Sequence, residues 1–159
     1  MEHYAAWSSK NKPHKLNWSK PPLECYKVNF DAISCEDFST QSAVCRNCNG
    51  VITKMLSQFR PPCSTIYGAA LAAQLAGILV SSLQLNNFIL EGVSNVIMST
   101  LMSPTHSMDG QIEHIVKKTI SNFPPPYGRL EVFLEVKFFA PFMWLIGPRQ
   151  GFSRAAFPP

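Results

Sequence analysis

Asp31 is a carboxylate at the end of an alternating stretch that predicts a strand, Y-K-V-N-F-D at residues 26–31. A carboxylate at a strand end can bind a hard cation or orient a water molecule. An aspartate there also commonly caps a turn, so position alone leaves both roles open. Apart from Glu91, no Asp or Glu occurs between residues 38 and 108, so few carboxylates are available to assist it.

Cys45 and Cys48 have the spacing of a metal-ligand pair. A structural zinc site needs four ligands. No second paired motif follows, so the fold would have to bring in Cys35, Cys63 or His106. A redox pair of this spacing normally opens a helix after a strand, whereas N-C-N-G at residues 47–50 is typical of a tight turn. A hairpin turn is therefore favoured over zinc or redox chemistry.

The composition is that of one folded domain. The chain has 159 residues, of which 46% are hydrophobic and 15% charged, enough apolar material for a core. The net charge of +4 suits a phosphate-bearing partner and an ordinary surface excess equally well. The first ten residues lack the apolar stretch of a secretory signal, and the five cysteines are odd in number. We expect a reduced intracellular monomer, cytoplasmic or nuclear.

Residues 61–90 carry no charge, so they must be tested as a membrane span. Residues 66–85 are long enough to cross a bilayer. However, they include polar Gln and Ser, and much of their apolar content is Ala and Gly. A buried helix followed by a buried strand has the same composition. The sequence therefore favours a core helix, and we expect no membrane association.

The order of elements indicates an α/β fold. Residues 1–22 predict a basic, flexible leader, and residues 23–157 the domain. Three strands are predicted first, at 26–31, 42–46 and 51–55, the last two forming a hairpin. A long helix at 64–83 then leads to a strand at 88–91. Two further helices (94–102 and 109–123) and a last strand within 129–146 complete the pattern. The long helix is the crossover that a mixed sheet requires.

Several stretches resemble one family. W-S-K-P-P at 18–22 and K-V-N-F-D-A at 27–32 are similar to the opening of the ribonuclease H domain of plant non-LTR retroelements. V-C-R-N-C-N-G-V-I at 44–52 resembles its hairpin, and E-G-V-S at 91–94 lies where that family has E-x-D-S. The resemblance implies a mixed five-stranded sheet, three antiparallel strands followed by parallel strands, flanked by helices.

The same resemblance implies a metal-dependent hydrolysis and indicates that most of the carboxylates it requires are missing. The family hydrolyses the RNA strand of an RNA–DNA hybrid with two Mg²⁺ ions held by four carboxylates. Asp31 matches the first carboxylate, but the other three positions hold Ala69, Val93 and Ala156. The resemblance thus makes Asp31 the retained catalytic and metal-binding residue of a degenerate site, with Mg²⁺ binding weak or absent.

Four residues are candidates for nucleic-acid contacts by analogy with the family: Arg46, Asn47, Ser94 and Arg149. Each also has a structural interpretation, as a surface turn residue or, for Ser94, as the cap of a helix.

Three functions remain open. The favoured one is a degenerate ribonuclease H-like domain with negligible hydrolysis that binds RNA–DNA hybrid or other nucleic acid weakly. In the second, displaced carboxylates such as Glu91 and Asp37 rebuild an active, Mg²⁺-dependent hybrid ribonuclease. In the third, the domain is a protein-interaction module or a retroelement relic that binds no nucleic acid.

Overall fold

A computed structural model describes residues 18–103, 109–123 and 129–132. Its strands are β1 (Tyr26–Ser34), β2 (Ser39–Arg46), β3 (Ile52–Arg60), β4 (Phe88–Gly92) and β5 (Arg129–Val132). Its helices are α1 (Thr65–Ser82), α2 (Asn95–Met102) and α3 (Gly110–Ser121). The predicted α/β class and order of elements are confirmed over these residues. Residues 1–17 of the predicted leader and residues 133–157 of the predicted domain lie outside them.

The strands form one mixed sheet in the order β3-β2-β1-β4-β5. β1, β2 and β3 are antiparallel neighbours, and β4 pairs in parallel with β1. The backbone of β5 pairs in parallel with β4. The change from antiparallel to parallel pairing occurs at β1, because α1 carries the chain over the sheet before β4 begins.

The first three strands are longer than the sequence predicts. The β1–β2 ladder continues to Ser34 and Ser39, so Asp31 lies inside β1, opposite Ser42, and the prediction that it ends the strand is wrong. The extra length of β2 comes from polar residues at 39–41, which are buried and were not predicted as strand. Backbone pairing, which is independent of side-chain polarity, continues through them.

Helix caps fall where the sequence places them. Ser64 and Ser94 accept hydrogen bonds from Tyr67 N and Ile97 N, which fixes the first turns of α1 and α2. Asp109 does the same for α3 through Gln111 N. Each cap satisfies an amide that would otherwise lack a partner at the start of the helix.

The core lies between the helices and one face of the sheet. Apolar residues of β1, β2 and β4 alternate towards the helices: Val28, Phe30, Ala43, Cys45, Phe88 and Leu90. α1 approaches this face closely, since a Cβ added at Gly68 would lie 3.3 Å from Ala32 Cβ. α1 is long and apolar enough to cross a membrane, and 61% of that stretch is buried inside the fold.

Candidate functional site

The face of the sheet turned away from the described helices carries the charged residues. Lys27, Asn29 and Asp31 alternate with the core residues of β1 and point to this second face. Arg46 of β2 lies opposite Lys27, and Glu91 of β4 lies beside Asn29. The polar residues of three neighbouring strands therefore share one surface.

A buried ion pair lies at one end of this surface. Lys27 Nζ is 2.7 Å from Glu91 Oε1, and each side chain is only 1% exposed. Asn29 Nδ2 donates to Glu91 Oε2 at 2.6 Å, and Arg46 Nη1 donates to Asn29 Oδ1 at 3.2 Å. Burying two charges is tolerated when they are paired and their remaining polar atoms are bonded. This network joins β1, β2 and β4 through their side chains.

Residues 18–20, which the sequence assigned to the leader, cover this ion pair. Lys27 Nζ donates to the carbonyl oxygen of Ser19 at 2.7 Å. The ring of Trp18 lies 5.4 Å from Lys27 Nζ and 5.5 Å from Arg46 Cζ, within cation–π range of both. Burial lowers the pKa of Arg46, while the charge of Glu91 acts in the opposite direction. The chain before β1 thus contacts the domain from Trp18 onwards.

Asp31 lies at the other end of the surface, about 13 Å from Lys27 for four residues of strand. Its Oδ1 accepts a 2.7 Å hydrogen bond from the amide of Ala32, the following residue. Burial raises its pKa to about 6, and that hydrogen bond acts in the opposite direction. Ser42 Oγ, on the paired residue of β2, is buried and has no hydrogen-bond partner among the described residues. The surroundings of Asp31 therefore disfavour its charged form.

The aligned positions lie on both sides of the sheet. The parallel pairing puts Phe30 opposite Gly92, so Asp31 is the next residue of β1 and Val93 is the first residue after β4. These two positions form one corner of the fold, where Asp31 supplies the carboxylate. Ala69 is in the second turn of α1, 6% exposed and part of the core on the helix side of the sheet. Ala156 lies outside the described residues.

This corner does not fit a magnesium pair. Among the described residues, no three His, Cys, Asp or Glu side chains are close enough together to hold a metal ion. Glu91 is bound to Lys27 and Asn29 on the far side, and Asp37 is exposed between β1 and β2. Mg²⁺ needs several oxygen ligands in near-octahedral geometry, which a lone carboxylate does not supply.

The predicted nucleic-acid contacts have internal partners. Asn47 Oδ1 accepts from the amides of Asn49 and Val51, which holds the β2–β3 turn. Ser94 caps α2, and Arg46 belongs to the buried network. Arg149 lies outside the described residues. Their role in binding nucleic acid stays a prediction.

The network itself was missed by sequence reasoning. A lysine alternating with apolar residues along a strand ordinarily indicates a solvent-facing surface, so Lys27 gave no sign of burial. The available sign was the family resemblance, which matches Trp18, Lys27, Asn29, Arg46 and Glu91 together.

Comparison with solved structures decides the fold. Ribonuclease H1 of the halophilic archaeon Halobacterium salinarum superposes with a TM-score of 0.60 at 12% identity, covering 71% of this chain and 88% of that one. LC11-RNase H1, isolated from compost by a metagenomic approach, gives 0.63 at 9% identity over 72% and 88%. The fold is that of ribonuclease H.

LC11-RNase H1 has also been solved in complex with an RNA/DNA hybrid, and that structure gives a TM-score of 0.56 at 9% identity, covering 70% of this chain and 87% of that one. No protein-family model matches this chain. No curated protein sequence matches it either. Identities this low establish the ribonuclease H-like fold alone.

Proposed function

We propose that the chain is a ribonuclease H-like domain that binds nucleic acid without hydrolysing it. The observation that carries this proposal is the isolation of Asp31 among the described residues. The positions where the resemblance places the second and third carboxylates hold Ala69 and Val93, and Val93 follows β4 beside Asp31. The resemblance at residues 18–32 and 44–52 supports descent from the plant retroelement type.

The bonds of Glu91 support the loss of hydrolysis. A rebuilt site would need Glu91, whose oxygens bind Lys27 and Asn29. Moving Glu91 towards Asp31 would leave the buried Lys27 ammonium unpaired, which is strongly unfavourable.

Nucleic-acid binding is proposed on fold and charge. LC11-RNase H1, which shares the fold, binds an RNA/DNA hybrid, and this chain has a net charge of +4. Four lysines of the described surface are exposed: Lys20, Lys54, Lys117 and Lys118. Contacts of this kind neutralise phosphates without reading bases, so binding should weaken steeply as salt increases.

The proposal is tested with a labelled RNA–DNA hybrid in Mg²⁺ and, separately, in Mn²⁺. We expect no cleavage above that of the Asp31→Asn variant, which serves as the matched control. A clear rate that Asp31→Asn abolishes would overturn the loss of activity and favour the rebuilt site.

Binding is measured on the same hybrid by fluorescence anisotropy across a salt series. We expect the logarithm of affinity to fall linearly with the logarithm of salt concentration. No measurable affinity at low salt, or an affinity indifferent to salt, would contradict nucleic-acid binding. Either result would support the interaction-module or relic hypothesis instead.

A further inference from the structure

The ammonium group of Lys27 is enclosed by Glu91 of β4 and by the chain segment that precedes β1. Glu91 provides its counter-charge at 2.7 Å. The carbonyl oxygen of Ser19, also at 2.7 Å, and the ring of Trp18 cover it. We call residues 18–20 the strap. Two residues of the strap, Trp18 and Ser19, therefore contact the buried Lys27 ammonium.

The strap also touches the β2–β3 turn. A Cβ added at Gly50 would lie 3.4 Å from both Trp18 Cη2 and Lys20 Cε. Pro21, directly after the strap, is buried, and Pro22 O accepts from Cys25 N. Two forces could thus hold the strap, its contacts with the cations of Lys27 and Arg46 or its apolar packing on the turn.

We propose that the ammonium group of Lys27 holds the strap on the sheet, and that the strap in turn keeps the Lys27–Glu91 pair out of water. We call this arrangement the closure. Two observations favour the cation over apolar packing. Trp18 presents its ring to two cations, Lys27 and Arg46, at nearly equal distances. Lys27 Nζ also donates a 2.7 Å hydrogen bond to the strap, at the carbonyl oxygen of Ser19.

The closure is reciprocal by thermodynamic necessity. If the charge of Lys27 stabilises the docked strap, the docked strap stabilises the buried ion pair by the same free energy. An undocked strap would expose the ammonium, and its interaction with Glu91 would then be weakened by water. This closure involves Lys27 and Glu91 and does not involve Asp31, which lies about 13 Å from Lys27 along β1.

The first test removes the cation. In Lys27→Met/Glu91→Gln the pair is replaced by uncharged side chains of similar volume, and the glutamine carbonyl keeps an acceptor for Asn29 Nδ2. The whole chain is labelled with 5-fluorotryptophan, and the ¹⁹F resonance of Trp18 is assigned by its loss in Trp18→Phe. Lys54→Met is the control, because Lys54 is an exposed lysine bonded to Ser82.

We expect the Trp18 resonance to move to the free-tryptophan position in the folded double variant and to stay unchanged in Lys54→Met. Amide exchange at residues 19 and 20 should rise at least about tenfold, as local opening requires. A folded double variant with an unchanged Trp18 resonance would overturn the proposal in favour of apolar packing on the turn.

The second test removes the ring and needs no charge variant. In Trp18→Ala, acetylation of Lys27 by acetic anhydride is followed by mass spectrometry with Lys54 as the internal reference. Lys27 is 1% exposed in the closed state. We expect its reactivity to rise at least about tenfold, the factor set by opening of the strap. Unchanged protection of Lys27 would show that another group covers the ion pair and would equally overturn the closure.

Discussion

The two ends of the polar sheet face differ in how their charged groups are satisfied. At one end Lys27, Asn29, Arg46 and Glu91 form a closed network, with every charge bonded. At the other end the carboxyl of Asp31 is partly buried, and the hydrogen bond described for it comes from the amide of the next residue. The residues that join the strands therefore have side-chain partners, whereas Asp31 is described with a backbone partner.

The contrast is consistent with both the family resemblance and the proposed loss of activity. The stretch K-V-N-F-D contributes to both ends, since Lys27 and Asn29 belong to the network and Asp31 to the corner. A substitution in the network would leave a buried charge unpaired and weaken the fold. Ala69 and Val93 have no side-chain polar atoms, so the described fold keeps its shape without a carboxylate at either position.

Breaking the network should have the largest effect. Glu91→Gln leaves the Lys27 ammonium buried without a counter-charge, and such changes cost about 3–5 kcal/mol of unfolding free energy. The measurement is urea denaturation at neutral pH. The matched control is Glu113→Gln, which removes the exposed Glu113–Lys117 pair of α3 and should cost about 0.5 kcal/mol or less. A loss for Glu91→Gln as small as the control's would show that water already reaches Lys27.

Removing the charge of Asp31, at the other end of the polar sheet face, should stabilise the fold in a pH-dependent way. The pKa of Asp31 is about 6 in the folded protein against 3.8 for the free side chain, so the folded state holds this proton more tightly. The carboxyl of Asp31 therefore does not lower the free energy of unfolding below about pH 4. Between about pH 4 and pH 6 it lowers that free energy progressively. At about 1.4 kcal/mol per pH unit, Asp31→Asn should gain at most about 3 kcal/mol at neutral pH.

The check for Asp31→Asn is its unfolding free energy relative to the parent chain at about pH 4 and about pH 8. Equal stability at the acid end and a gain at the alkaline end are expected. A variant less stable at alkaline pH would mean that the carboxylate has a favourable partner there.

The arrangement of elements could be predicted because it depends on local pattern. Apolar periodicity and the cap at Ser94 placed the helices within a residue or two. Strand ends were less predictable, since residues 39–42 pair through their backbone while their side chains are polar and buried. That error placed Asp31 at the end of β1 instead of inside it.

The network could not be predicted because it depends on contacts between residues far apart in sequence. Asn29 and Glu91 are 62 residues apart, and only the parallel β1–β4 register brings them together. Alternation assigned Lys27 to the correct face of β1, but it could not show that the strap covers that face.

The smallest expected effect comes from returning one carboxylate to the corner. Val93→Asp places an acid beside Asp31, if the strand register continues one residue past Phe30 and Gly92. Two neighbouring carboxylates repel, so the variant should lose stability at alkaline pH without metal. Added Mg²⁺ should restore about 1.4 kcal/mol when its concentration is about ten times the dissociation constant. The readout is the change in melting temperature with MgCl₂, compared with Val93→Asn, which has a similar shape and no charge. A metal response shared by both variants would come from elsewhere in the chain. A response in neither would mean that Asp31 and residue 93 point away from each other, and the corner would then lack the geometry of a metal site as well as its ligands.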